Sequence, residues 1–305
     1  MKRILAIYFT QTGQQEAIVQ SLLKPFVEAG DEVHFERLKL VDNYPFPWSA
    51  FTFFNAFPET FTQQPLPLQP LSARAFEAYD LVVLGYQPWF LTPSRPISSF
   101  LQSPDATRIL KGKRVVTILG CRNMWLGAQE KIKRRLLDLQ ANLVGHVALV
   151  DKSGNLTSLV TILRWMLAGK KEPFWFFPAA GVAPQDVTHA SAFGKILQNT
   201  MDAGNFDGLQ KDLNAEGAIL VKPNLVLMEK RGQKAFSVWA KFVINGGPSG
   251  SKGRNMRVRI FMRALPTAIV ILSPLLWVVS QILLVVKHRH LSQEAEYYMQ
   301  NNLRS

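Results

Sequence analysis

Five consecutive residues, Thr10-Gln11-Thr12-Gly13-Gln14, join two hydroxyls to a glycine directly after a short apolar run that starts at Ile4 and ends at Phe9. Apolar residues then recur at Ile18, Leu22, Leu23 and Phe26, the spacing of an amphipathic helix behind a buried strand. Such a loop presents hydroxyls and free backbone N–H groups at a helix N-terminus, so it can hold one phosphate without a lysine. It lacks the Gly-Lys-Ser/Thr ending of an ATP loop and the three glycines of a dinucleotide fingerprint. ATP and NAD are therefore poor tenants, and a monophosphate such as that of FMN is the better match.

Two more loops carry chemistry-bearing residues. Gly85-Tyr86-Gln87-Pro88-Trp89-Phe90-Leu91 follows the apolar run that begins at Leu81, and Gly120-Cys121-Arg122-Asn123-Met124-Trp125 follows the run that begins at Val115. Backbone N–H groups and aromatic faces are what a flat ring needs, and both loops supply them. The plainer alternative for Trp89 and Trp125 is packing beneath neighbouring helices.

The elements that must position these loops follow from hydrophobic patterning. Residues 33–38 alternate as a second strand, a helix is expected over residues 128–140, and a fifth strand lies near residues 146–150. Strands that are near-continuous apolar runs, interleaved with helices, imply an α/β fold with a doubly wound parallel five-stranded sheet covered on both faces. Ligands of such sheets sit beyond the carboxyl ends of the strands, where the three loops lie. Two aromatic-rich insertions interrupt the plan. Residues 44–61 hold eight aromatics, and residues 165–177 add Trp165, Phe174, Trp175, Phe176 and Phe177. They read either as covers for exposed sheet faces or as the apolar wall of a ligand channel, with Trp48, Phe54 and Trp165 as its candidate residues.

The first loop on this sheet resembles that of flavodoxins and FMN-dependent quinone reductases, a flavodoxin-like pattern of the form Thr/Ser-x-Thr-Gly-x. A narrower resemblance spans most of residues 1–195. Tyr44-Pro45-Phe46-Pro47-Trp48, Phe57-Pro58-Glu59, Tyr86 to Leu91, Gly120 to Trp125 with Ala128-Gln129-Glu130, and Arg164-Trp165-Met166 with Gly169-Lys170-Lys171 are similar to the flavodoxin-like enzyme of dialkylresorcinol and flexirubin pathways, often labelled a dialkylresorcinol condensing enzyme. The resemblance implies that a partner ketosynthase joins two acyl chains into a 2,5-dialkylcyclohexane-1,3-dione, a lipophilic substrate that this protein oxidises to the resorcinol with FMN. It implies FMN contacts from Thr10, Gln11, Thr12, Gly13 and Gln14, from Gln87, Pro88, Trp89 and Phe90, and from Gly120, Cys121, Arg122, Asn123, Met124 and Trp125.

Aromatising a cyclohexanedione removes a hydride and a proton, so the site needs a hydride acceptor, a base and donors for the enolate oxygens. Arg122 and Asn123 are the candidates for the oxygens, and Tyr86 or Gln87 for proton relay. His146 has the chemistry of a base but falls at the wrong end of its strand. The rival activities are a plain NAD(P)H:quinone oxidoreductase and a non-catalytic electron-transfer or membrane-docking module. Five scattered histidines and one cysteine form no metal-ligand cluster, and no spacing pairs Cys121 with a histidine.

The chain has 305 residues and a net charge of +13, concentrated towards the C-terminus. Between Lys230 and Arg263 lie nine basic residues and no acid, and residues 265–286 then carry no charge. As a helix that run would be ~33 Å long, enough for a ~30 Å hydrocarbon core, although Pro266 opens it and Pro274 interrupts it. The basic stretch matches anionic membrane lipid better than nucleic acid, which is not expected as a partner. The expected division is a catalytic domain over 1–200, a basic extension over 201–263, a hydrophobic C-terminal helical membrane segment over 264–286, spanning or re-entrant, and a polar tail over 287–305. With one cysteine and no signal-peptide pattern, the expected location is the cytoplasmic face of the membrane, with a homodimer as an open alternative.

Overall fold

The computed structural model describes residues 1–303, except for the side chains at 270, 272–280 and 282–285. Five parallel strands form the central sheet: β1 (Arg3–Tyr8), β2 (Glu32–Arg37), β3 (Leu81–Tyr86), β6 (Arg114–Cys121) and β7 (Asn142–Val150), in the order β2-β1-β3-β6-β7. A two-stranded hairpin, β4 (Pro88–Trp89) and β5 (Thr92–Pro93), stands at the end of β3. All six residues of β3 are buried, which a strand without polar alternation permits only in the middle of a sheet covered on both faces.

Helix α1 (Gln14–Glu28) lies on one face, paired with α8 (Pro184–Ala203). A side chain at Gly85 or Gly120 would come within 2.5 Å of Val19 or Ile18, so glycine at both positions lets α1 rest directly on β3 and β6. On the opposite face lies α6 (Leu126–Asp138), with α4 (Arg95–Leu101) and α5 (Pro104–Leu110) before it in the chain. The expected start of the fifth strand was four residues late: β7 begins at Asn142, which puts His146 mid-strand rather than at its beginning.

The 44–61 insertion contains two short helices, α2 (Ala50–Asn55) and α3 (Phe57–Phe61), and a longer helix, α7 (Asn155–Ala168), carries Trp165. After α9 (Leu209–Ala215), the chain continues through α10 (Pro223–Ile244), α11 (Lys252–Val286) and α12 (His288–Tyr298). These C-terminal helices build a second core against the insertion. Phe54 and Phe57 pack with Ala240, Val243, Val258 and Phe261, and the Phe57 and Phe261 rings stack at 4.5 Å. Burying each such ring contributes roughly 1.5–3 kcal/mol. Arg254, 2% exposed, forks onto both oxygens of Glu59 at 2.7 Å and donates to Asn55, pinning the start of α11 to α3.

That arrangement overturns the expected membrane segment. Among the described residues no helix is long and apolar enough to cross a membrane, so neither a spanning nor a re-entrant anchor, nor a position on the cytoplasmic face of a membrane, is supported. Most of residues 264–286 falls on side chains outside the described residues. The uncharged run is the second half of α11, whose first half carries Arg254, Arg257, Arg259 and Arg263 and buries Val258 and Phe261 in the protein.

Candidate functional site

The loops after β1, β3, β6 and β7 converge on a cavity of about 190 Å³. Gln11, Thr12 and Gln14 line it from the first loop, Gln87, Pro88, Trp89 and Phe90 from the β4–β5 hairpin, and Gly120, Cys121 and Arg122 from the end of β6. Its remaining wall is Gln15 of α1, Phe53 of α2, Ile162, Leu163, Trp165 and Met166 of α7, Asp151 and Gly181.

At one end the backbone is prepared for an anion. Gly13 is the N-cap of α1 with φ 83°, a conformation costly for any residue with a Cβ, and no side chain caps the helix there. The first N–H groups of α1 therefore face the loop without side-chain acceptors, where the helix dipole is positive. Thr10 Oγ1 accepts the Gly13 N–H at 2.9 Å and fixes the turn. The next two residues brace it. Gln14 exchanges two hydrogen bonds with the Val182 backbone, at 3.1 and 3.2 Å, and Gln15 donates to the Ile118 carbonyl and accepts from the Gly120 N–H.

At the other end the lining is aromatic and apolar, with one partly buried cation. The Arg122 guanidinium donates to the Asn155 carbonyl at 2.8 Å and touches Met124 Sδ, and among the described residues it forms no ion pair. Burial lowers its pKa, opposed by the attraction of Cys121 and of the Asp151 carboxylate in the same lining. Burial also pushes the Cys121 thiol well up, which disfavours its thiolate. An uncapped helix N-terminus at one end and an arginine beside aromatic walls at the other match the chemistry of a flat ring bearing a phosphate tail, but a ligand of that size needs more than the cavity's 190 Å³, so its walls must part to admit one.

Several sequence candidates lie elsewhere. Tyr86 is fully buried on the opposite face of the sheet and donates to Gln129 Oε1 at 2.6 Å, so it cannot relay a proton in the cavity. Burial raises its pKa well above the ordinary value as well. Asn123 donates to Asn155 Oδ1 at 3.0 Å and is absent from the lining, as are Met124 and the buried Trp125, whose ring packs on His146. His146 bonds Thr117 at 2.8 Å in the core, where burial lowers its pKa to about 3. Trp48 stacks on Tyr44 and meets Trp89 edge-on, one layer behind the cavity, and Phe54 belongs to the second core. Of the proposed channel residues, Trp165 reaches the lining. The alternation of faces along a strand explains Tyr86: its neighbour Gly85 faces α1, so Tyr86 points the other way. Phe53, Asp151, Ile162 and Met166 escaped sequence reasoning. Asp151 alone carried a usable signal, because it follows β7 at the same carboxyl edge.

The cavity sits where strand order reverses between β1 and β3, the ligand position of an open α/β sheet with this order. The fold is flavodoxin-like. Solved structures with partial likeness to this flavodoxin-like chain include a flavoprotein in complex with FMN from Lactobacillus acidophilus, 13% identical over 48% of this chain and 93% of that one, with a TM-score of 0.39. Oxidised flavodoxin 1 from Bacillus cereus is 15% identical over 63% and 95%, with a TM-score of 0.35. Two-electron reduced flavodoxin from Megasphaera elsdenii is 17% identical over 50% and 89%, with a TM-score of 0.30. Strand order and the position of the cavity carry the fold assignment. No protein-family model and no curated protein matches the chain.

Proposed function

We propose that the chain binds FMN and oxidises a 2,5-dialkylcyclohexane-1,3-dione, supplied by a partner ketosynthase, to the dialkylresorcinol. The observation that supports this reading is one cavity that joins an uncapped helix N-terminus to an apolar wall, a partly buried Arg122 and the Asp151 carboxylate. The α1 N-terminus and the Thr12 hydroxyl would hold the phosphate, and Trp89, Phe90 and the Gly120–Arg122 turn the ring. When bound, FMN supplies the two-electron acceptor for the substrate's hydride, and a terminal oxidant such as oxygen takes the electrons on.

The chain's own residues do the rest. Arg122 holds the oxygen on which negative charge develops, and its charge counts for more than it would in bulk water because the guanidinium is partly buried. Asp151, the carboxylate among the lining residues, takes the proton; its Oδ1 accepts the Ser153 N–H at 2.9 Å, which fixes the carboxylate's orientation. Phe53, Ile162, Leu163 and Met166 exclude water and receive the alkyl chains.

The test is anaerobic reduction of the FMN-loaded protein by the dione without NAD(P)H. Bleaching of the flavin band, with Arg122→Ala lowering kcat more than it raises KM, supports the reading. Rapid reduction by NADPH with no response to the dione would make it a quinone oxidoreductase instead.

A further inference from the structure

Helix α10 contributes no residue to the cavity lining, yet it grips two of the loops that form it. Glu229, 2% exposed, accepts the Leu126 N–H at 3.1 Å and the Gly127 N–H at 2.6 Å. Those groups open α6 immediately after the turn that carries Gly120, Cys121 and Arg122, and α6 has no side-chain cap of its own. The cap comes from a carboxylate about a hundred residues away, placed where the helix dipole favours it. One helical turn further along α10, Gln233 Nε2 donates to the Leu91 carbonyl at 2.6 Å. Leu91 and Phe90 both have positive φ, 65° and 50°, in the tight turn that carries Trp89 and Phe90 to the cavity. Residues without glycine's freedom hold such conformations only where surrounding contacts impose them.

The approach of α10 is as close as the backbone allows. A side chain at Gly127 would fall 2.2 Å from Gln233 Nε2, and one at Gly232 would fall 2.9 Å from Leu91 Cδ1. Anchoring α10 needs neither polar contact, since the second core and the 2.6 Å Lys230–Glu294 pair already fasten it. A desolvated carboxylate is also an expensive cap where serine would serve. What the two side chains do together is tie the β4–β5 hairpin to the β6–α6 turn.

We propose that Glu229 and Gln233 are positioning residues of the ligand site, setting the distance between its two ring-facing loops; the effect on flavin binding rests on the FMN reading above. Positions α10 fixes are then part of the site although none touches the ligand.

The test uses the full-length protein and three variants. Gln233→Glu keeps the size of the side chain but cannot donate to the Leu91 carbonyl. Glu229→Gln presents an N–H to a backbone N–H. Lys230→Ala removes an ion pair of α10 that faces neither loop. In the first two variants, amide hydrogen exchange without flavin should quicken at least tenfold across residues 88–93 and 120–127, and the Kd for FMN should rise about tenfold or more, with a shifted flavin absorption band. Gln233→Lys, which keeps a donor, should restore both within about threefold. Lys230→Ala should lower the thermal midpoint and leave loop exchange and Kd unchanged. Loop exchange equal to wild type in both Glu229→Gln and Gln233→Glu would overturn the proposal. Because exchange is read without ligand, failure of the wild type to bind FMN would count against the flavin reading alone.

Discussion

At the helix N-terminus the cavity is lined by a few consecutive residues, braced through Gln14 and Gln15 onto Val182 and Ile118, and at its aromatic end by six segments scattered between Phe53 and Gly181 and braced from α10. The first end depends on local backbone geometry: Gly13 turns the chain, Thr10 closes the turn, and the helix supplies the field. The second depends on tertiary packing, because Phe53, Phe90 and Trp165 meet only after the insertion, the hairpin and α7 have docked. Sites of this kind can keep their anion-binding half through changes that destroy the other, so the two halves should fail separately.

The largest effect is expected from Phe57→Ala, which empties the centre of the second core and should cost ~3–5 kcal/mol in urea unfolding. It should loosen the aromatic end and leave the Thr10–Gly13 turn intact, as read by retained exchange protection of the Gly13 amide. Equal loss at both ends would erase the distinction drawn here.

Next comes the pH dependence of Glu229. Burial, opposed by its backbone hydrogen bonds, pushes its carboxyl from the ordinary 4.5 up to about 7. A raised folded-state pKa gives a stabilising contribution that is whole below about pH 4.5 and is lost as the pH rises through about 7, worth up to ~3 kcal/mol. The stability difference between wild type and Glu229→Gln should therefore shrink or reverse from pH 5 to pH 8. A difference independent of pH would mean the carboxyl is hydrated.

A smaller effect attaches to the first end. Gly13→Val places a β-branched residue at φ 83° and disturbs the N–H groups of α1; it should weaken FMN binding by one or two decades at ~1.5–3 kcal/mol, with loop exchange at 88–93 unchanged. Undiminished binding would move the phosphate elsewhere. Smallest is Tyr86→Phe, which deprives the buried Gln129 Oε1 of its donor for ~1 kcal/mol of stability and should leave turnover untouched. A fall in kcat beyond that would return Tyr86 to the site.

How much of this was legible in the sequence follows the same division. The strands announced themselves as apolar runs, and the Thr10-to-Gln14 turn could be read because its geometry is local. Trp89 and Phe90 could be placed beside the cavity because they follow a strand at the sheet's carboxyl edge. Tyr86 was misplaced because adjacent residues on a strand face opposite ways, and the sequence does not say which face holds the cavity. Trp48 and Phe54 were misplaced because aromatic content says nothing about whether a ring lines a pocket or a core. Residues 265–286 read as an anchor from their lack of charge behind a basic stretch, since the packing of the first half of α11 on α2 and α3 leaves no periodic trace strong enough to see.

The pairing of Phe57 with Phe261 also bears on how the chain is made. Two hundred residues separate these partners, and at ~5–20 residues per second a ribosome needs roughly 10–40 s to deliver the second after the first. Throughout that interval the aromatic faces of α2 and α3 lack the cover of α10 and α11, and for about the first half of it the parallel sheet, itself a slow topology, is still gaining β3, β6 and β7. Newly made chains should thus depend on holdase chaperones and low temperature for soluble yield far more than their finished stability would suggest, and slowing translation across α10 and α11 should increase aggregation.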